Sequence, residues 1–193
     1  MTTLLLVRHG ETDWNRDERF QGQANPPLNE TGRAQAVGLS VALAATPLGA
    51  VYTSPLERAF VTAEIIAAPH GLEPVTVAEL REMYDGSWEG LTRAEVEARF
   101  PDQHARWLEH RRGPDDGESY EELGRRVVPA LLEIGEAHAN ARVLAVTHAG
   151  PIRAALAHVE GISYEEARER GPSIDNASVV ALAVENGNLR RID

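Results

Sequence analysis

The chain has 193 residues, 42% of them hydrophobic, with 30 acidic and 19 basic side chains and a formal net charge of −11. That is enough for one well-cored globular domain, and so acidic a chain is a poor non-specific partner for nucleic acid or an anionic membrane. There is no cysteine, and every basic residue is arginine. Disulfides, thiolate metal sites and thiol catalysis are therefore excluded, as are lysine Schiff bases and lysine-bearing phosphate loops.

In chain order, the apolar run at residues 3–7 predicts a buried strand. About twenty residues then pass before the next periodic segment, a length that is usually functional inside a domain. A helix is expected from Thr31 to Ala45 and a second strand over 49–54. Ser54, Pro55 and Glu57 read as the N-cap, first turn and capping box of a further helix that ends before 69–71. Residues 74–77 suggest a third strand, and Thr92/Glu95, Ser119/Glu122 and Ser163/Glu166 mark three more helix starts. A buried strand over 142–148 precedes another helix, and residues 177–192 read as a terminal hairpin around "ENGN".

Strands alternating with helices predict a three-layer α/β/α domain spanning 1–193, with a mainly parallel sheet and an antiparallel edge strand from the hairpin. Residues 79–118 lack a strand pattern and carry Tyr84, Trp88, Phe100 and Trp107. They read as a small cap insertion; the alternative is a helical satellite with only its own core. No apolar run approaches the length of a membrane span, and the expected location is cytoplasmic.

In an open α/β sheet, ligands sit beyond the carboxyl ends of the strands. "LLLVRHG" (4–10) places Arg8 and His9 there, and "VLAVTHAG" (143–150) places His148 there. Arg58 lies in the first turn of the helix that follows the second strand, whose N-terminal N–H groups also favour an anion. Two histidines and two arginines at one crevice suit a phosphate monoester, because guanidinium forks match phosphate oxygens. The same permanent cations would repel a metal ion, so no metal site is expected. A neutral histidine can attack phosphorus, and a carboxylic acid at the pocket mouth can protonate the leaving oxygen.

Taken together and in order, "LLLVRHGETDWN", "SPLERAFVTAEII", "LREMYDGSWEGLT", "GESYEEL" and "VLAVTHAGPIRA" resemble the histidine phosphatase superfamily, in its phosphoglycerate-mutase-like cytoplasmic branch. The resemblance implies that His9 accepts the phosphoryl group, Arg8 and Arg58 hold it, His148 stabilises the transferring oxygens and Glu82 is the proton donor. It further implies that Asn15, Gln21 and Gly22 line the phosphate site and that no cofactor is used. Asn15 could instead serve only an Asx turn, and Trp14 is expected to pack rather than touch substrate. Arg111 and Arg112 are candidates for reading a second anionic group, against a plain solvated turn. His70, His104, His110, His138 and His158 are expected at the surface, and Asp115–Asp116 in a solvated turn.

Within the family, the resemblance implies a metal-independent hydrolase of small phosphomonoesters. The alternatives are a cofactor-dependent phosphoglycerate mutase and a protein-directed phosphatase or regulatory binder. "YDGSWEG" and "GQAN" depart from the mutase pattern, and the 79–118 insertion departs from the small protein-directed relatives. No nucleic-acid or membrane partner is expected, and a homodimer is left open.

Overall fold

Two parallel strands at the centre of the sheet decide where the chemistry sits. The computed structural model describes residues 1–110, 113–171 and 173–192. In it β1 (Thr2–Arg8) runs into α1 (Asp13–Arg16), α2 (Glu30–Leu43), β2 (Ala50–Thr53), α3 (Glu57–Ala67) and β3 (Val75–Thr76). After α4 (Arg93–Arg99), α5 (Pro101–His110) and α6 (Tyr120–Glu136) come β4 (Arg142–Thr147), α7 (Ala149–Glu160), α8 (Tyr164–Arg170) and the hairpin β5 (Val179–Glu185) and β6 (Asn188–Arg191). The sheet order is β3-β2-β4-β1-β5-β6. The first four strands are parallel, and the hairpin closes the far side with β5 antiparallel to β1.

The strand period of two splits β1 between two cores. Leu4 and Leu6 join Val143, Ala145 and Leu182 under Leu123, Val127 and Leu131 of α6 and Ile152 of α7. Val7 joins Val51, Leu144 and Val146 under Ala59, Ala63 and Ile66 of α3. Both faces of the sheet are thus covered, as the uninterrupted apolar runs of β1 and β4 require. Among the described residues no helix is long and apolar enough to cross a membrane.

The described residues of 79–118 are helical where they are regular, and Trp88, Val96 and Trp107 form a small core of their own. Phe20 of the long early loop packs into that core, and backbone bonds Phe20 N–Leu91 O (2.9 Å) and Gly90 N–Phe20 O (2.8 Å) tie the loop to this segment. His104 belongs here, stacked on Trp107 at 5.9 Å and only 5% exposed. This corrects its expected surface position: on α5 it faces inward and Arg93 Nε meets its Nε2 at 3.4 Å. His70 and His138 are half-buried and His158 is exposed. Arg111 and Arg112 lie outside the described residues, and the His110 side chain outside the described side chains. Asp115 and Asp116 are exposed but not idle, since Asp115 pairs with Arg106 (2.7 Å) and Asp116 accepts from the Ser87 N–H and hydroxyl.

The capping boxes at Thr92/Glu95 and Ser119/Glu122 are both formed, and Ser163 accepts from Glu166 N. The box expected at Ser54/Glu57 is absent. Helix α3 starts only at Glu57, and Leu56 at its N-cap position supplies no side-chain bond. Asn25 of the early loop caps it instead, accepting from Glu57 N at 2.8 Å.

Candidate active site

Register brings the two histidines together. Strands β1 and β4 pair Arg8 with Thr147, so His9 and His148 each stand one residue past the ladder. Their rings lie 5.0 Å apart, and His9 N bonds Thr147 O at 3.0 Å. On the other side of β4, Thr53 pairs with Val146, which sets Ser54 next in line. The Ser54 hydroxyl meets His148 Nε2 at 2.8 Å and accepts from Leu56 N at 3.3 Å. This explains its failure as a helix cap: its hydroxyl faces the crevice.

His9 is buried, and its Nδ1 donates to the Gly10 carbonyl at 2.7 Å. A carbonyl only accepts, so the proton sits on Nδ1 and Nε2 keeps its lone pair. Burial, reinforced by the charges of Arg58 and Arg8, holds the imidazole well below the ordinary histidine range. His148 is depressed in the same direction by burial first, then by Arg58 and His9. Both rings are therefore neutral at physiological pH.

Arg58 is completely buried, yet its recorded partners are carbonyl oxygens and a ring nitrogen rather than a carboxylate. Nη1 donates to Ala24 O (2.7 Å), Nη2 to Gly22 O (2.8 Å) and Nε to His9 Nε2 (3.3 Å). Burial lowers its pKa to about 10, so it stays charged at neutral pH. Arg8 donates from Nη1 to Ile174 O at 2.6 Å, while its Nε is buried without a partner. Burial lowers its pKa as well, with Arg153 adding a like charge nearby. His148 Nδ1 is likewise buried and unpartnered. A buried polar atom left unpaired costs about 1–3 kcal/mol, and for Arg8 Nε, always a donor, an anion would supply the missing partner.

Glu82 enters from the segment after β3. Its carboxylate accepts from Met83 N (2.8 Å) and from Gly150 N (3.3 Å) in the first turn of α7, two residues past His148. A Cβ at position 150 would collide with that carboxylate, so any other residue there would push the Glu82 side chain out of this placement.

Asn15 is the N3 residue of a capping box with Thr12. Its Oδ1 takes Thr12 N (3.1 Å), Thr12 Oγ1 (3.2 Å) and Asn176 Nδ2 (3.2 Å), so the carbonyl end of the amide is spent on structure. Gln21 Oε1 accepts from Thr12 Oγ1 at 3.0 Å. Gly22 works through its carbonyl, which the left-handed backbone (φ 49°) turns to Arg58.

Several neighbours were not singled out by the sequence. Thr62 Oγ1 receives Gly10 N (3.1 Å) and donates to Arg58 O (2.7 Å). Asn176 Nδ2 donates to His9 O at 3.0 Å. Arg153 of α7 stands with its guanidinium 6.0 Å from the Tyr164 ring centroid. Tyr164 is held above the ordinary tyrosine range by burial and then by the Glu82 charge. Thr62 falls one helical turn after Arg58 and Arg153 one turn after Gly150, so the 3.6-residue period was a usable signal for both. Asn176 carried none. Among the described residues no group of three or more His, Cys, Asp or Glu side chains could hold a metal ion.

The arrangement offers a neutral nucleophilic nitrogen, one buried and one half-buried cation, an unpartnered guanidinium donor and an adjacent carboxylate, which together suit transfer of a phosphoryl group. Comparison with known proteins agrees. The family model of the histidine phosphatase superfamily (branch 1) matches residues 4–192. The chain is 35% identical over 187 residues to phosphoserine phosphatase 1 of Hydrogenobacter thermophilus, covering 96% of this chain and 88% of that one. The structure of YhfR from Bacillus stearothermophilus is similar at a TM-score of 0.90 and 32% identity, covering 99% of this chain and 95% of that one. That of mycobacterial glucosyl-3-phosphoglycerate phosphatase in complex with VO3 is similar at 0.83 and 31%, covering 94% and 90%. This chain belongs to the histidine phosphatase superfamily, branch 1.

Proposed function

We propose that the protein is a phosphoric monoester hydrolase of small phosphorylated metabolites that works through a phosphohistidine. The observation that carries this is the pairing of a neutral, lone-pair-bearing His9 Nε2 with a fully buried Arg58, the unpartnered donor Arg8 Nε and the unpartnered ring nitrogen His148 Nδ1. His9 Nε2 attacks phosphorus while the phosphorus–oxygen ester bond breaks, and Glu82 protonates the departing oxygen. Water then attacks the phosphohistidine, Glu82 takes its proton, and the phosphorus–nitrogen bond electrons return to Nε2. Arg8, Arg58, His148 and Asn15 hold the equatorial oxygens, while Gln21 and Gly22 keep Thr12 and Arg58 in place. Rigid strand ends confine these groups to attack geometry.

Two relatives similar to this chain bear names that imply a carboxylate near the phosphate, phosphoserine phosphatase and glucosyl-3-phosphoglycerate phosphatase. We extend that substrate class to this chain and assign Arg153, beside Arg8 and Tyr164, to the carboxylate. Residues 79–118 we read as a cap over the site within one domain.

The test is phosphate release in EDTA from phosphoserine, 3-phosphoglycerate, sugar phosphates and p-nitrophenyl phosphate, with His9→Ala as the blank. Release that persists in EDTA, disappears in the blank and passes through an acid-labile phosphoenzyme is expected. Arg153→Ala should lower kcat/KM for the carboxylated esters about tenfold or more while sparing p-nitrophenyl phosphate. Absence of release from folded protein would reject the hydrolase reading. Equal losses on all esters would reject the Arg153 assignment alone.

A further inference from the structure

We propose that Arg126, on α6, is the positioning residue for the acid–base carboxylate. The inference rests on the reading of Glu82 as proton donor and deepens it. Glu82 lies in an irregular segment that no β-ladder holds, because β3 ends at Thr76 and the next element is a single 3-10 turn over Ala78–Leu80. Arg126 ties that segment down. Its Nη1 donates to Glu79 O and to Arg81 O (2.8 Å), and its Nη2 donates to Glu82 O (2.9 Å). The remaining N–H groups go to Glu118, Nε to Oε1 at 2.6 Å and Nη2 to Oε2 at 2.7 Å. All five donors of the guanidinium are thus used.

Glu118 completes the clamp on the far side of Glu82. It accepts from Tyr84 N at 3.2 Å, and its own N–H donates to Tyr84 O at 2.8 Å. The backbone is therefore held at 79, 81, 82 and 84 by one partly buried ion pair, whose two side chains are 19% and 13% exposed. Three carbonyls converging on one point repel one another unless a multidentate cation lies between them. Lysine has only three donors and no planar fork, so it would make only part of this set of bonds. Two weaker ties support the clamp: Gln23 Nε2 to Glu82 O at 3.1 Å and Thr147 Oγ1 to Leu80 O at 2.6 Å.

A positioning role predicts a signature that general loss of structure does not. Proton donation matters when the leaving group is an alkoxide and hardly at all when it is p-nitrophenolate. In single turnover, Arg126→Gln should slow phosphoenzyme formation from phosphoserine or 3-phosphoglycerate on the order of 10- to 100-fold and from p-nitrophenyl phosphate by no more than about threefold, because the later water step, in which Glu82 acts as base, is common to both esters. Arg126→Lys, which keeps the charge and fewer bonds, should fall between, and serves if the glutamine variant does not fold. The Glu82→Gln/Arg126→Gln double variant should be no slower on the alkyl ester than Glu82→Gln alone, because both changes remove one function.

Equal losses on both esters, or additive losses in the double variant, would overturn the proposal. Alkyl-selective loss in Glu82→Gln with none in either Arg126 variant would overturn it while leaving Glu82 as the donor. No alkyl-selective loss in Glu82→Gln would overturn the donor assignment itself, and the positioning role with it.

Discussion

His9 and His148 owe their usefulness to being held neutral. Burial and the neighbouring arginines depress both well below the ordinary histidine range. For a base the folded state then binds fewer protons than the unfolded chain at any pH between the two pKa values. Stability is accordingly full above about pH 6.5 and declines as pH falls towards the depressed values, by up to about 1.4 kcal/mol per pH unit for each histidine. Urea unfolding of the wild type should show this decline between about pH 6.5 and 5, and His148→Gln should show a shallower one. An unchanged slope in the variant would mean that His148 is not held neutral. For the same reason, turnover should not collapse between pH 7 and 6, since the nucleophile is still unprotonated there.

At the scale of elements, the instructive case is the start of α3. Ser54, Pro55 and Glu57 carry every local mark of a capped helix, yet Ser54 turns its hydroxyl to His148 and the cap comes from Asn25 in another part of the chain. Ser119 has the same local chemistry and does cap α6, because its surroundings are exposed and no buried partner competes. The two serines should respond differently to alanine. Ser54→Ala should slow turnover about tenfold through loss of the hydrogen bond that orients His148, with a matching loss of activity on both alkyl and aryl esters. Ser119→Ala should shift the urea midpoint by about 1 kcal/mol of stability. A Ser54→Ala enzyme with wild-type turnover and lowered stability would show that the hydroxyl serves packing instead.

At the scale of the molecule, the described residues build two apolar cores on the sheet and a third within 79–118. The third is small and fastened mainly to the early loop, so it should open separately. Trp88→Ala removes its central side chain, which is only 1% exposed. The expected cost is about 3–5 kcal/mol of local stability. Hydrogen exchange should then speed up within 79–118, with the central strands still protected and kcat/KM reduced. Equal loss of protection in β1 and β4 would show that the insertion and the sheet fold as one unit.

The sequence by itself determined the layers and the gathering of Arg8, His9, Arg58 and His148 at one edge. Uninterrupted apolar runs must be buried on both faces, and parallel strands must end on the same side. The capping boxes at Thr92 and Ser119 were legible for a related reason: both partners lie within four residues. The structure alone decided what depends on contacts between distant segments. These are the inward turn of His104, the Asn25 cap, the Asn176 bond to His9, and the grip of Arg126 on carbonyls more than forty residues earlier. Backbone carbonyls are present at every position, so no residue type announces which of them a distant guanidinium will collect. Only the packing of α6 against the segment that carries Glu82 makes that choice.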